Sequence, residues 1–203
     1  MNKMDIRTIS FKRRSLPHWE VAGKMHFVTF RLRNTLPKEI VVKFQKRRSE
    51  ILAEDNVCKI HEFQRYEFKE IERILDSVKN DENAYLSRFD IAPVLMEAFE
   101  SLEYKYCWSF PSYVIMPNHI HCLCVADKEG KGISLTDIIG LYKRFTSRKI
   151  NTIRGESGRI WIDENFDHWC RDHHKVESIV KYIENNPVKA GLVDKSENWR
   201  WKK

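Results

Sequence analysis

The sequence lacks the cysteine patterns that mark small zinc-binding or disulfide-bonded domains. Its five cysteines, at positions 58, 107, 122, 124 and 170, are odd in number and scattered, and no two of them form a CxxC pair. This arrangement gives no support to a zinc knuckle or to a disulfide framework. We therefore expect reduced and mostly buried thiols.

Long apolar runs, a recognisable signal peptide, internal repeats and low-complexity tracts are also missing from the sequence. Without a run of about 20 apolar residues, no segment is expected to span a bilayer, and we expect no membrane association. Together with the cysteine usage, these absences predict a cytoplasmic protein.

What the chain does have is a full complement of apolar and aromatic residues and an excess of positive charge. With 203 residues, 42% of them hydrophobic and 12% aromatic, it suits one folded domain with a complete core. The net charge of +7 and the pI near 9.1 favour a polyanionic partner, most simply nucleic acid. Mild basicity is common among soluble proteins, so the charge alone does not identify that partner.

Apolar patterning predicts the order of the secondary-structure elements. A strand is predicted at 25–33, and helices at about 37–54 and 93–102 with a short helix near 67–79 between them. Two strands then meet at a tight Pro117-Asn118 turn, and Pro111 indicates an edge position or a bulge in the first of them. A helix opens at the capping box Ser134-x-x-Asp137, and a last helix at about 174–186 is expected to end at Pro187.

This order predicts an α+β fold, in which helices pack on a ferredoxin-like antiparallel sheet that carries a helical insertion at about 37–92. The main domain would span residues 25–193. A basic, irregular arm at 1–24 would precede it, and a tail at 194–203 would follow it. No role is predicted for the charged segment 57–85.

Two histidines in the apolar run Met116-Pro117-Asn118-His119-Ile120-His121-Cys122-Leu123 form a candidate metal site. On a strand, alternate side chains share a face, so His119 and His121 point the same way, with Cα atoms roughly 6.5–7 Å apart. Both imidazoles could then reach one metal ion. Residues 120, 122 and 124 would lie on the opposite face, in the core. Histidines also occur in such places by chance, and the pair alone is a modest signal.

The last predicted helix adds a tyrosine and a carboxamide one turn apart. At 100° per residue, Asn186 lies about 40° from Tyr182, on the flank of the helix's apolar stripe. A simple packing role for Tyr182 and a helix-end role for Asn186 are the alternative. Tyr142 is a second candidate nucleophile by residue type, but its place on an apolar helix face predicts a core position.

Together these two segments, Pro117-Asn118-His119-Ile120-His121 and Tyr182-Ile183-x-x-Asn186-Pro187-Val188, resemble the REP-associated tyrosine transposases. These belong to the HUH single-tyrosine, IS200-like superfamily. Supporting matches are Arg13-Arg14-x-Leu16-Pro17-His18-Trp19, Lys143-Arg144-Phe145-Thr146-Ser147-Arg148 and Gly158-x-x-Trp161. The resemblance runs from about residue 13 to residue 193. The histidine and tyrosine motifs are specific as a pair, whereas the basic segments individually are not.

The resemblance implies a metal-dependent transposase that cuts and rejoins single-stranded, hairpin DNA of the REP type through a 5′-phosphotyrosine intermediate. It implies that Tyr182 is the nucleophile and that His119, His121 and Asn186 ligate Mg²⁺ or Mn²⁺. Insertion-sequence relatives commonly have Gln in place of Asn186, which assigns the chain to the REP-associated branch. A bacterial, nucleoid-associated protein that acts as a monomer or homodimer is implied as well.

DNA contacts are predicted for the basic segments and the aromatic residue beside them. The predicted residues are Arg13, Arg14, His18, Trp19, Arg31, Lys143, Arg144 and Arg148. A solvated helix face and a disordered arm are the alternative for each of them.

Two other functions stay open at this point. The chain could be a domesticated DNA-binding protein without catalysis, although the intact His-His-Tyr-Asn set argues against that. It could also be a relaxase-like or replication-initiator-like nickase, which would share the histidine pair. The sequence around Tyr182 disfavours this reading.

Overall fold

The computed structural model describes residues 7–13, 17–54, 57–78, 82–126 and 132–203. Its strands are β1 (Thr8–Arg13), β2 (Pro17–Val21), β3 (His26–Arg31), β4 (Trp108–Ile115), β5 (His119–Ala126) and β6 (Phe166–Trp169). Its helices are α1 (Lys38–Ala53), α2 (Val57–Ser77), α3 (Ala92–Tyr106), α4 (Leu135–Arg154) and α5 (His173–Lys189), with a 3-10 turn at Ser196–Asn198.

Four strands form one antiparallel sheet in the order β4-β5-β3-β6. The sheet is built from a strand–helix–strand–strand–helix–strand sequence in which the first and third strands are central, as in a ferredoxin-like fold. The predicted fold class is therefore confirmed. In the register of β3 and β5, Thr29 lies opposite His121 and Arg31 lies opposite His119, so these four side chains share one face of the sheet.

The other face of the sheet carries the main core. Helices α3 and α4 pack there, and the residues predicted to anchor β5, Ile120, Cys122 and Cys124, are fully buried among them. Tyr142 of α4 belongs to the same core, and its hydroxyl donates a hydrogen bond to the carbonyl of Leu95 at 3.0 Å. The prediction that Tyr142 is a core residue is confirmed.

The face that bears the two histidines is covered by α5 and by the inserted helix α2. Ile179 and Ile183 of α5 pack against Phe27 and Leu123 of the sheet, and Phe68 of α2 joins this second core. Helices α1 and α2 also share a small core of their own around Phe44, Ile51 and Phe63. The insertion therefore lies directly over the face on which the metal site is predicted.

Three expectations about the elements are wrong. Helix α2 runs from Val57 to Ser77 and is not a short helix, because its apolar residues find partners along its length: Ile60 and Phe63 pack in the core shared with α1, and Phe68 packs against the sheet. In the described part of the N-terminal region, β1 and β2 pair as antiparallel strands instead of forming an irregular arm. Pro187 lies inside α5, which continues to Lys189, since a proline in the last turn forfeits only one backbone hydrogen bond.

The C-terminal residues lie along the outer edge of β4. Ile115 N–H donates to the Trp201 carbonyl at 2.8 Å, and a β-bridge joins Val114 to Lys202. The pairing of β4 with β5 shifts between Ser109 and Ser112, so the irregularity predicted at Pro111 is present. All five cysteines are free, as expected. Within the described ranges, every helix is too short or too polar to cross a membrane.

Candidate active site

The two histidines of β5 meet at their ring nitrogens inside the protein. His119 and His121 are fully buried, and their Nε2 atoms lie 3.1 Å apart. The alternation of side chains along the strand brings them together, as the sequence predicts. The separation of the two nitrogens is short enough for one ion to contact both.

A neighbouring amide fixes the ring orientation of His119. The Asn118 side chain donates from Nδ2 to the Leu75 carbonyl at 3.0 Å, which leaves its Oδ1 atom 2.7 Å from His119 Nδ1. Because Oδ1 can only accept, the proton of His119 is on Nδ1 and the Nε2 lone pair faces the site. Thr29 Oγ1 lies 2.7 Å from Nδ1 of His121 and can support that ring in the same way. Such outer partners are typical of metal-binding histidines.

A carboxylate from the inserted helix completes this cluster, and the sequence patterns did not point to it. Glu72 Oε2 lies 3.0 Å from His121 Nε2, and the ligand atoms of Glu72, His119 and His121 all lie within 4.8 Å of one another. A signal was present, because Glu72 follows Phe68 by four residues and precedes Leu75 by three, which puts a charge on a buried helical stripe.

Helix α5 places Tyr182 against the same carboxylate. The phenol donates a short hydrogen bond to Glu72 Oε2, and the ring lies 5.3 Å from the His121 ring, centroid to centroid. Burial raises the pKa of Tyr182 well above its ordinary value, and the negative charge of Glu72 raises it further, while the Asn186 side chain acts in the opposite direction. The tyrosine is therefore protonated in this arrangement.

Asn186 lies one turn further along α5 and is fully buried; its side chain is close enough to act on the Tyr182 phenol, but neither its Oδ1 nor its Nδ2 atom makes a hydrogen bond of normal geometry. A buried amide without partners costs free energy, which a bound group can recover. Two imidazole nitrogens, a carboxylate and an unpartnered amide oxygen are ligands that a divalent cation accepts. The residues present therefore fit the metal that the sequence resemblance implies.

Electrostatics in the cluster also suit a cation. Burial, followed by the proximity of His121, lowers the pKa of His119 to about 3, so that its imidazole is neutral, as metal binding requires. Burial acts to raise the pKa of Glu72, but the neighbouring His121, His119 and Tyr182 outweigh it and hold the value at about 2. The site thus has a carboxylate beside a neutral imidazole lone pair.

A cavity of about 170 Å³ lies beside the cluster, between the sheet and the α1–α2 hairpin. Thr29, Arg31 and Glu72 line the part next to the site, and aromatic side chains of α1, α2 and β6 line other parts. Arg31, a predicted DNA contact, is half-buried here, and its guanidinium donates to Thr35 Oγ1 at 3.0 Å. Burial lowers the pKa of Arg31 to about 10, which leaves it charged at neutral pH.

Three of the other predicted DNA contacts meet at one groove. His18, Lys143 and Arg144 line it together with Gly140, whose face of α4 is open. Arg148 follows Arg144 by one turn and is exposed. The groove and the cavity share Asn165 as a lining residue, so they lie on either side of one loop.

The remaining predicted contacts lie on the N-terminal hairpin. Trp19 is 39% exposed and packs edge-on against Trp169 at 5.7 Å. Arg13 is in β1, and Arg14 lies outside the described residues. Two groups have internal partners: His18 bonds Asp167 and Glu164, and the Lys143 ammonium donates to the carbonyl of Ile162 at 2.9 Å.

The chain matches a known protein family and resembles a solved structure. The sequence pattern of a family described as IS200-like transposase matches residues 77–186, more than half of the chain and the part that contains the histidine pair, Tyr182 and Asn186. No curated protein matches the chain significantly. A solved structure described as the REP-associated tyrosine transposase bound to a REP hairpin superposes with a TM-score of 0.52 at 18% identity. The superposition covers 96% of this chain and 82% of that one, and it shows a shared fold.

Proposed function

We propose, because this chain belongs to the IS200-like transposase family, that it cuts and rejoins single-stranded DNA by forming a covalent bond to Tyr182. The substrate would be a hairpin of the REP type, as in the REP-associated branch of the family. His119, His121 and Asn186 would hold Mg²⁺ or Mn²⁺, which when bound offsets phosphate charge and polarises the phosphorus centre.

One observation supports this proposal more than any other. The ring of Tyr182 from α5 lies 5.3 Å from the ring of His121 in the buried histidine pair of β5, and Asn186 is fully buried one turn from the tyrosine on α5. A tyrosine that served only in packing would not require an unpartnered amide and a pair of facing imidazole nitrogens next to it. Such groups are costly unless they bind something.

The proposed reaction exchanges one phosphodiester for another. The Tyr182 oxygen forms a bond to the scissile phosphorus while the bond from phosphorus to the 3′ oxygen breaks. The 5′ end stays attached to the enzyme as a phosphotyrosine, and the 3′ end leaves as a hydroxyl. Overall, the phenol loses one proton and the departing 3′ oxygen gains one. Attack by a 3′-hydroxyl on the phosphotyrosine reverses the step, so rejoining needs no ATP.

The groove on α4 is the proposed path for the DNA backbone. Arg144 lines the groove and Arg148 is exposed one turn further along α4, so the two can contact successive phosphates, while Gly140 allows close approach because it has no side chain. Lys143 and His18, which already bond groups of the protein, would shape the groove more than neutralise phosphates.

A covalent-adduct assay tests the proposal. Labelled REP-type hairpin oligonucleotides are incubated with the protein and Mg²⁺ or Mn²⁺, and adducts are resolved on a denaturing gel. Tyr182→Phe should abolish the adduct and leave hairpin binding intact, whereas Tyr104→Phe, at a highly exposed tyrosine, should behave like the wild type. An adduct that survives in Tyr182→Phe contradicts the assignment. Binding without any adduct or metal requirement would instead favour a DNA-binding protein without catalysis.

A further inference from the structure

We propose that Glu72 is a further protein ligand of the divalent cation, so that the inserted α1–α2 hairpin builds part of the metal centre. The inference rests on the proposed function, because it concerns the same ion. Glu72 lies just outside the segment 77–186 that matches the transposase family, and it belongs to neither of the two motifs that carry the resemblance.

The contacts of Glu72 are those of a ligand. Its Oε2 atom contacts Nε2 of His121 and accepts the hydrogen bond of Tyr182, and its Oε1 atom is buried without a hydrogen-bond partner. Among the described residues, Glu72 and the two histidines are the one cluster of three or more His, Cys, Asp or Glu donors close enough to share an ion. The unpartnered Oε1 provides a second oxygen for such an ion.

A comparison within α2 separates this role from a structural one. Glu67 is also buried, but it pairs with the guanidinium of Arg48, as a structural carboxylate in a protein interior usually does. Within the described ranges, Glu72 forms no ion pair with a lysine or arginine, and its polar partners are candidate catalytic groups. A buried carboxylate in that position is costly unless a cation compensates its charge.

Charge and ligand chemistry favour the same conclusion. The three ligands implied by the family resemblance, two neutral imidazoles and an amide, contribute no negative charge and only one oxygen. Mg²⁺ and Mn²⁺ prefer oxygen ligands, and two histidines with one carboxylate are a common set for divalent metals. Glu72 supplies the missing carboxylate.

The backbone of α2 is held where this role requires it. The Leu75 carbonyl accepts the bond from Asn118 at 3.0 Å, and Asp76 accepts one from Lys189 of α5 at 2.7 Å. Both contacts lie one turn from Glu72, and they join α2 to the turn just before β5 and to the helix that carries the tyrosine. The carboxylate is thus positioned from both sides of the site.

Mn²⁺ binding to the full chain tests the inference without any DNA. Affinity is measured by isothermal titration calorimetry, and the loss of the hydrated Mn²⁺ signal is followed by electron paramagnetic resonance. Glu72→Gln should weaken binding by at least about tenfold, and Glu70→Gln, a partly exposed position on the same helix that pairs with Arg73, should not change it. Unchanged or tighter binding by Glu72→Gln would overturn the inference, since it would mean that the carboxylate only occupies the place of the ion.

Two further variants make the result decisive. Thermal unfolding in chelator reports whether Glu72→Gln folds. If it does not, Glu72→Asp replaces it, since aspartate keeps the charge on a shorter side chain. Glu72→Asp should also weaken Mn²⁺ binding, and unchanged or tighter binding would again overturn the inference. His119→Gln separates the two proposals. Loss of Mn²⁺ binding in that variant, with normal affinity in the Glu72 variants, would leave the proposed function standing and remove only the role of Glu72.

Discussion

Replacing Asn186 with leucine is expected to stabilise the metal-free protein while removing metal binding and adduct formation. Asn186 is fully buried and its two polar side-chain atoms make no hydrogen bond of normal geometry, so the folded protein carries a desolvation cost there. Leucine has a similar volume and no polar atoms to desolvate. The change therefore removes a cost that a purely structural position would not carry.

The expected size follows from the cost of an unpartnered buried polar group, about 1 to 3 kcal/mol. The free energy of unfolding in chelator should rise by about that amount. For a domain of this length, each kcal/mol corresponds to a rise in Tm of about 2 to 4 °C. Asn185 provides the matched control, because it is exposed and bonds its own helix, and Asn185→Leu should change stability by no more than about 0.5 kcal/mol.

Adding Mn²⁺ should reverse the order of stability. At a free concentration one thousand times the Kd, a bound ion adds about 4.1 kcal/mol to the wild type, which exceeds the advantage of the leucine variant in chelator. The leucine variant should gain little, because it has lost a ligand. Urea unfolding with and without Mn²⁺ measures both effects. A leucine variant that is less stable than the wild type in chelator would refute the reasoning, because Asn186 would then contribute to stability as an ordinary packed residue.

Three further predictions follow from other parts of the structure. Hydrogen bonds to Asp167 and Glu164 raise the pKa of His18 to about 9, above its unfolded value of 6.5, so this contact stabilises fully below pH 6.5 and is lost as the pH rises through 9. Between pH 6 and pH 9.5, the free energy of unfolding measured in urea should fall by about 1 to 2 kcal/mol in the wild type, a value that allows for solvent screening. His18→Gln should not show this fall, and an equal fall in the variant would contradict the prediction. Asn118→Ala should weaken Mn²⁺ binding about 10- to 100-fold in calorimetry, because the His119 ring loses the partner that orients it, and unchanged affinity would argue against that role. Arg144→Gln and Arg148→Gln should each lower the slope of log K against log salt for hairpin binding by about 1. Arg73→Gln, at an exposed arginine of α2 that does not line the α4 groove, should not, and equal slopes in all three variants would exclude α4 as the DNA path.

The sequence was sufficient to predict the sheet and the groups it presents. Alternation along β5 separates the histidines from Ile120, Cys122 and Cys124, and this pattern survives in the structure because β5 is central and both of its faces are covered. The stripe of α5 likewise shows which flank carries Tyr182. Local periodicity is a reliable guide where an element packs against one layer on each side.

The parts that were missed depend on contacts distant in sequence. Glu72 enters the site because α2 crosses the face of the sheet, and no spacing within the chain relates it to His121, which is far along the sequence. β6 is four residues long, too short for an alternating pattern, and it is defined by pairing with β3. The β1–β2 hairpin is joined to the domain by His18 and its two acidic partners, which are also remote in sequence.

The pairing of residues 201–203 with the outer edge of β4 has a consequence for self-association. An unpaired outer strand can join the sheet of another copy, but here Tyr113 and Ile115 already share their amide hydrogen bonds with residues 201–203. Two copies therefore cannot pair their β4 strands along this stretch unless residues 201–203 first detach from β4. A homodimer of the described structure would therefore have to form somewhere other than this edge of β4, and removing residues 201–203 would leave that edge open to pair with another strand.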